Sequence, residues 1–530
     1  MALAGSASQP SLGELMAVMS LGVDLGLGQP MDHMLGSCVV SLGIAGELGL
    51  EADDVEMIHY LALLAYVGCH ADSMEQARWF GDDIGLRESS YHYDETPIGR
   101  AKRVMPRIGS DRDGLDKART IASFLVSGRK LAEGMPYGHC DAAGRFALRL
   151  GLHEDVRDAL LEVFERWDGK GDPGTHAGAA IRMAVRVFRL ADVVEVHYRE
   201  GGLEGALDVA RARSGTQFDP DLVELFCTNA AEILEPLEAD QRWETVIAAQ
   251  PGLCAPLADD QANAALEAIA DFVDLKSPYL LGHSRAVADL AAAAAGACDL
   301  PPDQVARLRT AGLLHDLGRL GIANTIWDKP GSLTASERER VRLQPYFTER
   351  MISASPTLAP LAALAAAHQE RLDGSGYPRG LRADALPKTA RILAAADVYR
   401  ALIEPRPHRG PHAPADAARL LRAEAREGRL DGDAVEAVLH AAGQGGRERP
   451  GEASGLTPRE IEVLGLLARG MTSKAIGERL FISTKTVGHH ISSIYLKTGA
   501  TNRVSASIYA TEHGLLGPPL EGVPAAVAAA

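Results

Sequence analysis

A chain of 530 residues is too long for one hydrophobic core and points to about three domains. Its 46% hydrophobic, 24% charged and 5% aromatic residues are a globular composition, which excludes a disordered, collagenous or disulfide-dense protein. Fifty-four basic against 71 acidic residues leave a net charge of −17, so any DNA-binding part has to be a local exception.

No Lys or Arg precedes Arg78, and no run of about eighteen uncharged apolar residues occurs, which predicts a cytoplasmic protein without leader or membrane span. Six scattered cysteines with no CxxC pair read as small buried hydrophobes in a reducing compartment. Strand signals are almost absent. Apolar residues instead recur at helical spacing, as over 36–48, 284–296 and 459–468, and predict an all-α fold. The Gly/Pro-rich stretches 404–414 and 443–455 break it, the second as a linker before a compact C-terminal unit.

Self-comparison reveals a duplication. Glu165–Pro173 (ERWDGKGDP) matches Glu370–Pro378 (ERLDGSGYP) at an offset of 205, which also carries Asp192 onto Asp397. Leu63–Gly68 matches Leu313–Gly318 at an offset of 250, which also pairs Asp24 with Asp274 and His33 with His283. The difference assigns the first copy 45 extra residues, placed near 70–135. The expected boundaries are 11–235 for the first copy, 260–442 for the second, 443–455 for the linker, 456–516 for the C-terminal unit and 517–530 for a flexible tail.

In the second copy His283, His315, Asp316, His368 and Asp397 each end or interrupt an apolar helical run. A carboxylate among Leu and Ala is costly to bury alone, so a compensating cation is expected. Mixed imidazole and carboxylate ligands suit Mn, Fe, Ni or Zn.

These residues resemble the HD-GYP branch of the HD phosphohydrolases over roughly 262–402, with His315-Asp316 as the HD dyad and Gly376-Tyr377-Pro378 inside HQERLDGSGYPRGL. The resemblance implies an all-α phosphodiesterase that opens cyclic di-GMP or a related cyclic dinucleotide at a two- or three-metal centre. It makes His283, His315, Asp316 and Asp397 the ligands of a first metal. His368 and a bridging Asp316 remain for a second. Asp316 takes a catalytic role, and Arg319 replaces the family's phosphate-facing Lys. Gln344 and Gln369 stand where the family has histidines, so the expectation is one divalent metal per chain and poor or absent turnover. The first copy has Ala65-Tyr66 for the dyad, Val163-Phe164 for the paired histidines and Asp172 for the GYP tyrosine. It retains His33, His139 and Asp192, and reads as a pseudo-domain.

Residues 452–516 hold seven Lys/Arg and five Asp/Glu, a reversal of the chain's sign. Thr457, Pro458 and Glu460 form a helix start, and Lys474–Leu480 and Thr484–Lys497 form two helices around the turn Phe481–Ser483. The string LTPREIEVLGLLARGMTSKAIGERLFISTKTVGHHISSIYLKTGATNRVSA resembles the LuxR-type DNA-binding domain throughout. The resemblance implies a four-helix unit whose recognition helix opens at Thr484. Gly488, His489 and Ser492 then face base edges, with Lys485 adding readout, and Lys474, Thr486 and Lys497 grip phosphates. The expected protein is a transcriptional regulator, homodimeric on double-stranded DNA, that senses a cyclic dinucleotide or another phosphate-bearing small molecule. The alternative is an active phosphodiesterase tethered to DNA.

Overall fold

The computed structural model describes residues 9–94, 96–239, 242–444 and 456–516. Residues 445–455 of the expected linker and the expected tail 517–530 lie outside the described residues. Among the described residues the fold is all-α, and β pairing is confined to isolated bridges such as Asp373 with Arg382. None of their helices is long and apolar enough to cross a membrane. The chain divides into two compact units, one of Ser8–Ala265 and one beginning at Leu266.

The first unit carries helices α1 (His33–Leu48), α2 (Ala52–Leu64), α3 (Arg129–Arg149) and α4 (Met183–Ala212, broken at Gly202). The second carries α5 (His283–Ala297), α6 (Pro302–Leu314), α7 (Gln344–Ala354) and α8 (Lys388–Ile403). The starts of α1 and α5, and of α2 and α6, are 250 residues apart, and those of α4 and α8 are 205 apart, so the offsets in the sequence recur as matching helices. The extra residues of the first copy form short helices such as Ser73–Phe80 and Gly114–Ser123 around a small core of Trp79, Phe80, Leu86, Ile108 and Phe124.

Small residues set how closely the helices of the second copy pack. Ala291, Ala294 and Ala295 of α5 meet Ile392, Leu393 and Ala396 of α8 in one buried cluster. A side chain on Gly312 of α6 would come within 2.7 Å of the Ala288 backbone, so the α5–α6 crossing accepts only glycine there.

The same unit ends in four helices, α9 (Pro458–Ala468), α10 (Ser473–Leu480), α11 (Thr484–Thr498) and α12 (Arg503–Glu512). Thr457 and Glu460 form the expected capping box, and Ser483 caps α11 through the Thr486 amide. Val463, Leu464, Ile476, Val487, Ile494 and Ala506 fill the core beneath them.

Candidate metal centre and DNA-binding unit

Asp274 fixes the first turn of α5. Its carboxylate accepts from the backbone N–H of Ser284 at 2.9 Å and from the Ser284 hydroxyl at 2.7 Å, which orients the neighbouring His283. His315 closes α6, and Asp316 leads into a tight turn over Leu317–Gly321. A Cβ on Gly318 would sit 1.9 Å from the Gln344 carbonyl oxygen, so its absence lets this turn press onto α7. Asp397 comes from the buried face of α8.

These elements converge on one buried point. His283 Nε2 lies 3.2 Å from Asp397 Oδ1 and 3.8 Å from Asp316 Oδ2, and His315 Nε2 lies 3.4 Å from Asp316 Oδ2 and 4.0 Å from Asp397 Oδ1. Around a metal with roughly 2.1 Å bonds, tetrahedral ligand atoms are roughly 3.4 Å apart. The other imidazole nitrogens are already committed: His283 Nδ1 pairs with Glu404 at 2.7 Å, and His315 Nδ1 with the Gly312 carbonyl at 2.6 Å. Both Nε2 atoms lack a hydrogen-bond partner among the described residues. Buried polar atoms left without partners and aimed at one point, with their ring nitrogens anchored behind them, fit a divalent metal. Burial pulls the His283 imidazole down, but Glu404 and Asp397 outweigh it and hold it at about 9. Burial pushes the Asp316 carboxyl up, and the Arg319 guanidinium and surrounding imidazoles overcome this and hold it low.

The position that the family resemblance would give to a second metal is filled differently. Gln344 Nε2 donates to Asp316 Oδ1 at 3.1 Å and to the His315 carbonyl at 3.0 Å, while its Oε1 meets His368 Nε2 at 3.1 Å. Gln369 Nε2 donates to Asp397 Oδ2 at 3.0 Å. Each glutamine thus supplies N–H to a carboxylate where the family places a metal-binding imidazole. Burial, reinforced by His315, pulls the His368 imidazole down to about 4. Arg319 lies with Nε 2.8 Å from Asp316 Oδ2 and its guanidinium 4.7 Å over the Trp327 ring.

In the first copy the protein supplies its own donors. His33 Nδ1 pairs with Glu195 at 2.6 Å, and its Nε2 lies 3.0 Å from the Tyr91 hydroxyl and 3.2 Å from Asp192. Tyr66, at the position of Asp316, donates to Asp192, and Arg189 donates to the Tyr66 hydroxyl at 2.8 Å. Burial and the Asp192 charge push both phenols up, so they stay protonated. His139 pairs with Asp72 and Cys69.

In the C-terminal unit Lys474, Thr484, Lys485, His489, Ser492 and Lys497 are exposed, and Thr486 and Gly488 half-exposed. Lys485, Thr486, Gly488, His489, Ser492 and Lys497 all belong to α11. Lys497 already has a partner: its Nζ donates to both Glu460 oxygens, at 2.7 and 2.9 Å, tying α11 to α9. Leu281, two residues before His283, packs against the core of this unit. Leu516, another partly buried residue on that core, lies 3.8 Å from where a Cβ on Gly282 would be.

Sequence reasoning missed Tyr91, Arg189, Glu404 and the Glu460–Lys497 pair. Tyr91 lies in the insertion, which has no counterpart in the other copy. Glu404 opens the Gly/Pro-rich stretch that reads only as a helix breaker.

Residues 267–434 match the HD domain, and residues 454–510 match the bacterial regulatory proteins of the luxR family. The chain is 31% identical over 437 residues to a 3′3′-cGAMP-specific phosphodiesterase of Vibrio cholerae, covering 81% of this chain and 94% of that protein. It is 32% identical over 225 residues to a cyclic di-GMP phosphodiesterase of Pseudomonas aeruginosa, covering 41% of this chain and 53% of that one. A crystal structure of a cyclic GMP-AMP-specific phosphodiesterase of V. cholerae superposes with a TM-score of 0.58 at 27% identity, over 82% of this chain and 98% of that one.

Proposed function

The chain belongs to the HD-GYP family of HD-domain proteins and carries a luxR-family DNA-binding domain, and from that premise we propose that it is a transcriptional regulator whose second HD copy is the sensor. The sensor binds one divalent transition metal (Mn, Fe, Ni or Zn) at His283, His315, Asp316 and Asp397, and a cyclic dinucleotide over it. The metal supplies charge for the ligand's phosphate. Arg319 adds a fixed positive charge beside it, and the glutamines hold the remaining carboxylate oxygens.

The observation that carries this reading is the seat of Leu281 in the core of the DNA-binding unit, two residues from the metal ligand His283. A ligand that shifts the first turn of α5 thereby acts on the unit that meets DNA, and by linkage DNA binding acts back on the ligand. The DNA-binding unit works as a homodimer on two half-sites, because joining two weak modules raises avidity about a hundredfold or more.

The test is a gel-shift titration of the full chain on two half-sites selected from a random DNA library, with and without Mn²⁺ and 3′3′-cGAMP or cyclic di-GMP. Coupling of about 1–3 kcal/mol corresponds to an affinity change of roughly fivefold or more. Asp397→Ala is expected to abolish that response and leave basal binding. An affinity indifferent to metal and both nucleotides overturns the sensor reading. A second reading, a working phosphodiesterase with a DNA tether, draws on the similarity to the Vibrio enzyme over 94% of its length. Robust hydrolysis of either nucleotide by the unsubstituted chain puts it first.

A further inference from the structure

The first copy holds a second cluster that neither metal chemistry nor DNA binding uses. Cys69 lies in the turn Val67–His70, with Sγ 3.7 Å from His139 Nδ1 on α3, and His139 Nε2 lies 2.9 Å from Asp72 Oδ2. Thiol, imidazole and carboxylate thus stand in line, one on each side of the ring. All three are buried, with Cys69 5% exposed. The approach is built into the backbone: a Cβ on Gly68 would fall 1.9 Å from the His139 carbonyl oxygen, so only glycine lets the turn lie this close to α3.

The same unit contains its own control. Cys38 Sγ lies 3.8 Å from His59 Nδ1, equally buried, but among the described residues no carboxylate pairs with His59 as Asp72 does with His139. Without a carboxylate, burial pulls His59 down to about 4 and pushes the Cys38 thiol up to about 12, so that pair stays neutral. At the other pair burial also pulls His139 down, but Cys69 and Asp72 outweigh it and hold the imidazole at about 10. Tyr66 and Cys140 also lie within electrostatic reach of the Cys69 thiol, and burial pushes both of their protons on more tightly.

We propose that Cys69 is a modification site, a thiolate held beside the His139 imidazolium by Asp72, which reacts with a small hydroperoxide. The sulfur attacks one peroxide oxygen, the O–O bond breaks, and an S–O bond forms. Sulfur gives up two electrons, and the departing hydroxide or alkoxide takes the Nδ1 proton of His139 and leaves as water or alcohol. The products are Cys69 sulfenic acid and a neutral imidazole.

The test treats the full chain with hydrogen peroxide, traps sulfenic acid with dimedone and reads each cysteine by peptide mass spectrometry. Cys254, which is exposed, is the reference. At pH 6 Cys69 is expected to label at least about tenfold faster than Cys254, because an ordinary thiol with a pKa of about 8.5 is then under 1% thiolate. Between pH 6 and 8 the Cys69 rate should change less than about threefold while that of Cys254 rises by a factor of fifty or more. His139→Gln and Asp72→Asn should each cost Cys69 its advantage, with circular dichroism reporting whether the fold survives. The pH profile of the unsubstituted chain stands regardless of how those variants fold. Cys254 labelling faster than Cys69 at pH 6, or a Cys69 rate that climbs with pH as an ordinary thiol does, overturns the proposal. Neither result bears on DNA binding or metal content, so this site and the sensor reading fail separately.

Discussion

The centres around His33 and His283 descend from one helical plan and have diverged in how they neutralise a buried carboxylate. At Asp397 the facing atoms are the Nε2 nitrogens of His283 and His315, which make no hydrogen bond among the described residues, a geometry that fits a metal ion. At Asp192 the protein provides the cation and the protons itself, through Arg189, Tyr66 and Tyr91. A buried carboxylate at this position can therefore be satisfied by the protein alone, provided that positive charge and hydrogen-bond donors surround it. Gln344 and Gln369 take the second copy part of the way along the same path.

Four substitution sets probe this contrast, in decreasing order of effect. Asp397→Ala should empty the second centre of metal, whereas Asp192→Ala should leave metal content unchanged and destabilise the first copy by about 3–5 kcal/mol, since Arg189 is left buried without its carboxylate. Chemical denaturation with metal analysis separates the two. Gln344→His with Gln369→His should raise metal content from one towards two per chain and bring measurable hydrolysis of 3′3′-cGAMP or cyclic di-GMP, because a two-metal clamp can hold both attacking and leaving oxygens.

Smaller effects are expected in the DNA-binding unit. Lys474→Ala should weaken binding to all sequences and lower the salt slope by about 1, and His489→Ala should relax sequence preference. Lys497→Ala should do what Lys474→Ala does and also lower stability, because it removes the α11–α9 ion pair. The smallest effect is the pH dependence of that pair. Hydrogen bonds from Lys497, Ser493 and the Thr457 backbone hold the Glu460 carboxyl down at about 2. A carboxyl depressed in the folded state stabilises it above the unfolded pKa of about 4.3 and loses that stabilisation as pH falls towards 2. Glu460→Gln should flatten the acid limb of the thermal unfolding curve over this range.

Much of this was legible in the sequence, for identifiable reasons. Helical periodicity and the paired offsets gave the all-α duplication, since both record spacing along the chain, which folding preserves. The convergence of His283, His315, Asp316 and Asp397 on one buried point could be anticipated because polar residues interrupting apolar helices need a partner. What the two glutamines do could not be read that way. The sequence shows a lost imidazole, and only the fold shows an amide bridging Asp316 to His368. Glu195 and Glu404 show the same limit. Both anchor the Nδ1 of the equivalent histidine, yet they sit at non-equivalent positions, so no offset connects them.

The most direct test of the contrast between the two centres is a metal count on the full chain, purified without chelator, dialysed against excess Mn²⁺ or Zn²⁺ and compared with Asp397→Ala and Asp192→Ala. One tightly held metal in the unsubstituted chain, none in Asp397→Ala and one in Asp192→Ala is the predicted result. A metal that survives Asp397→Ala, or one that disappears with Asp192→Ala while the second copy stays folded, would contradict it.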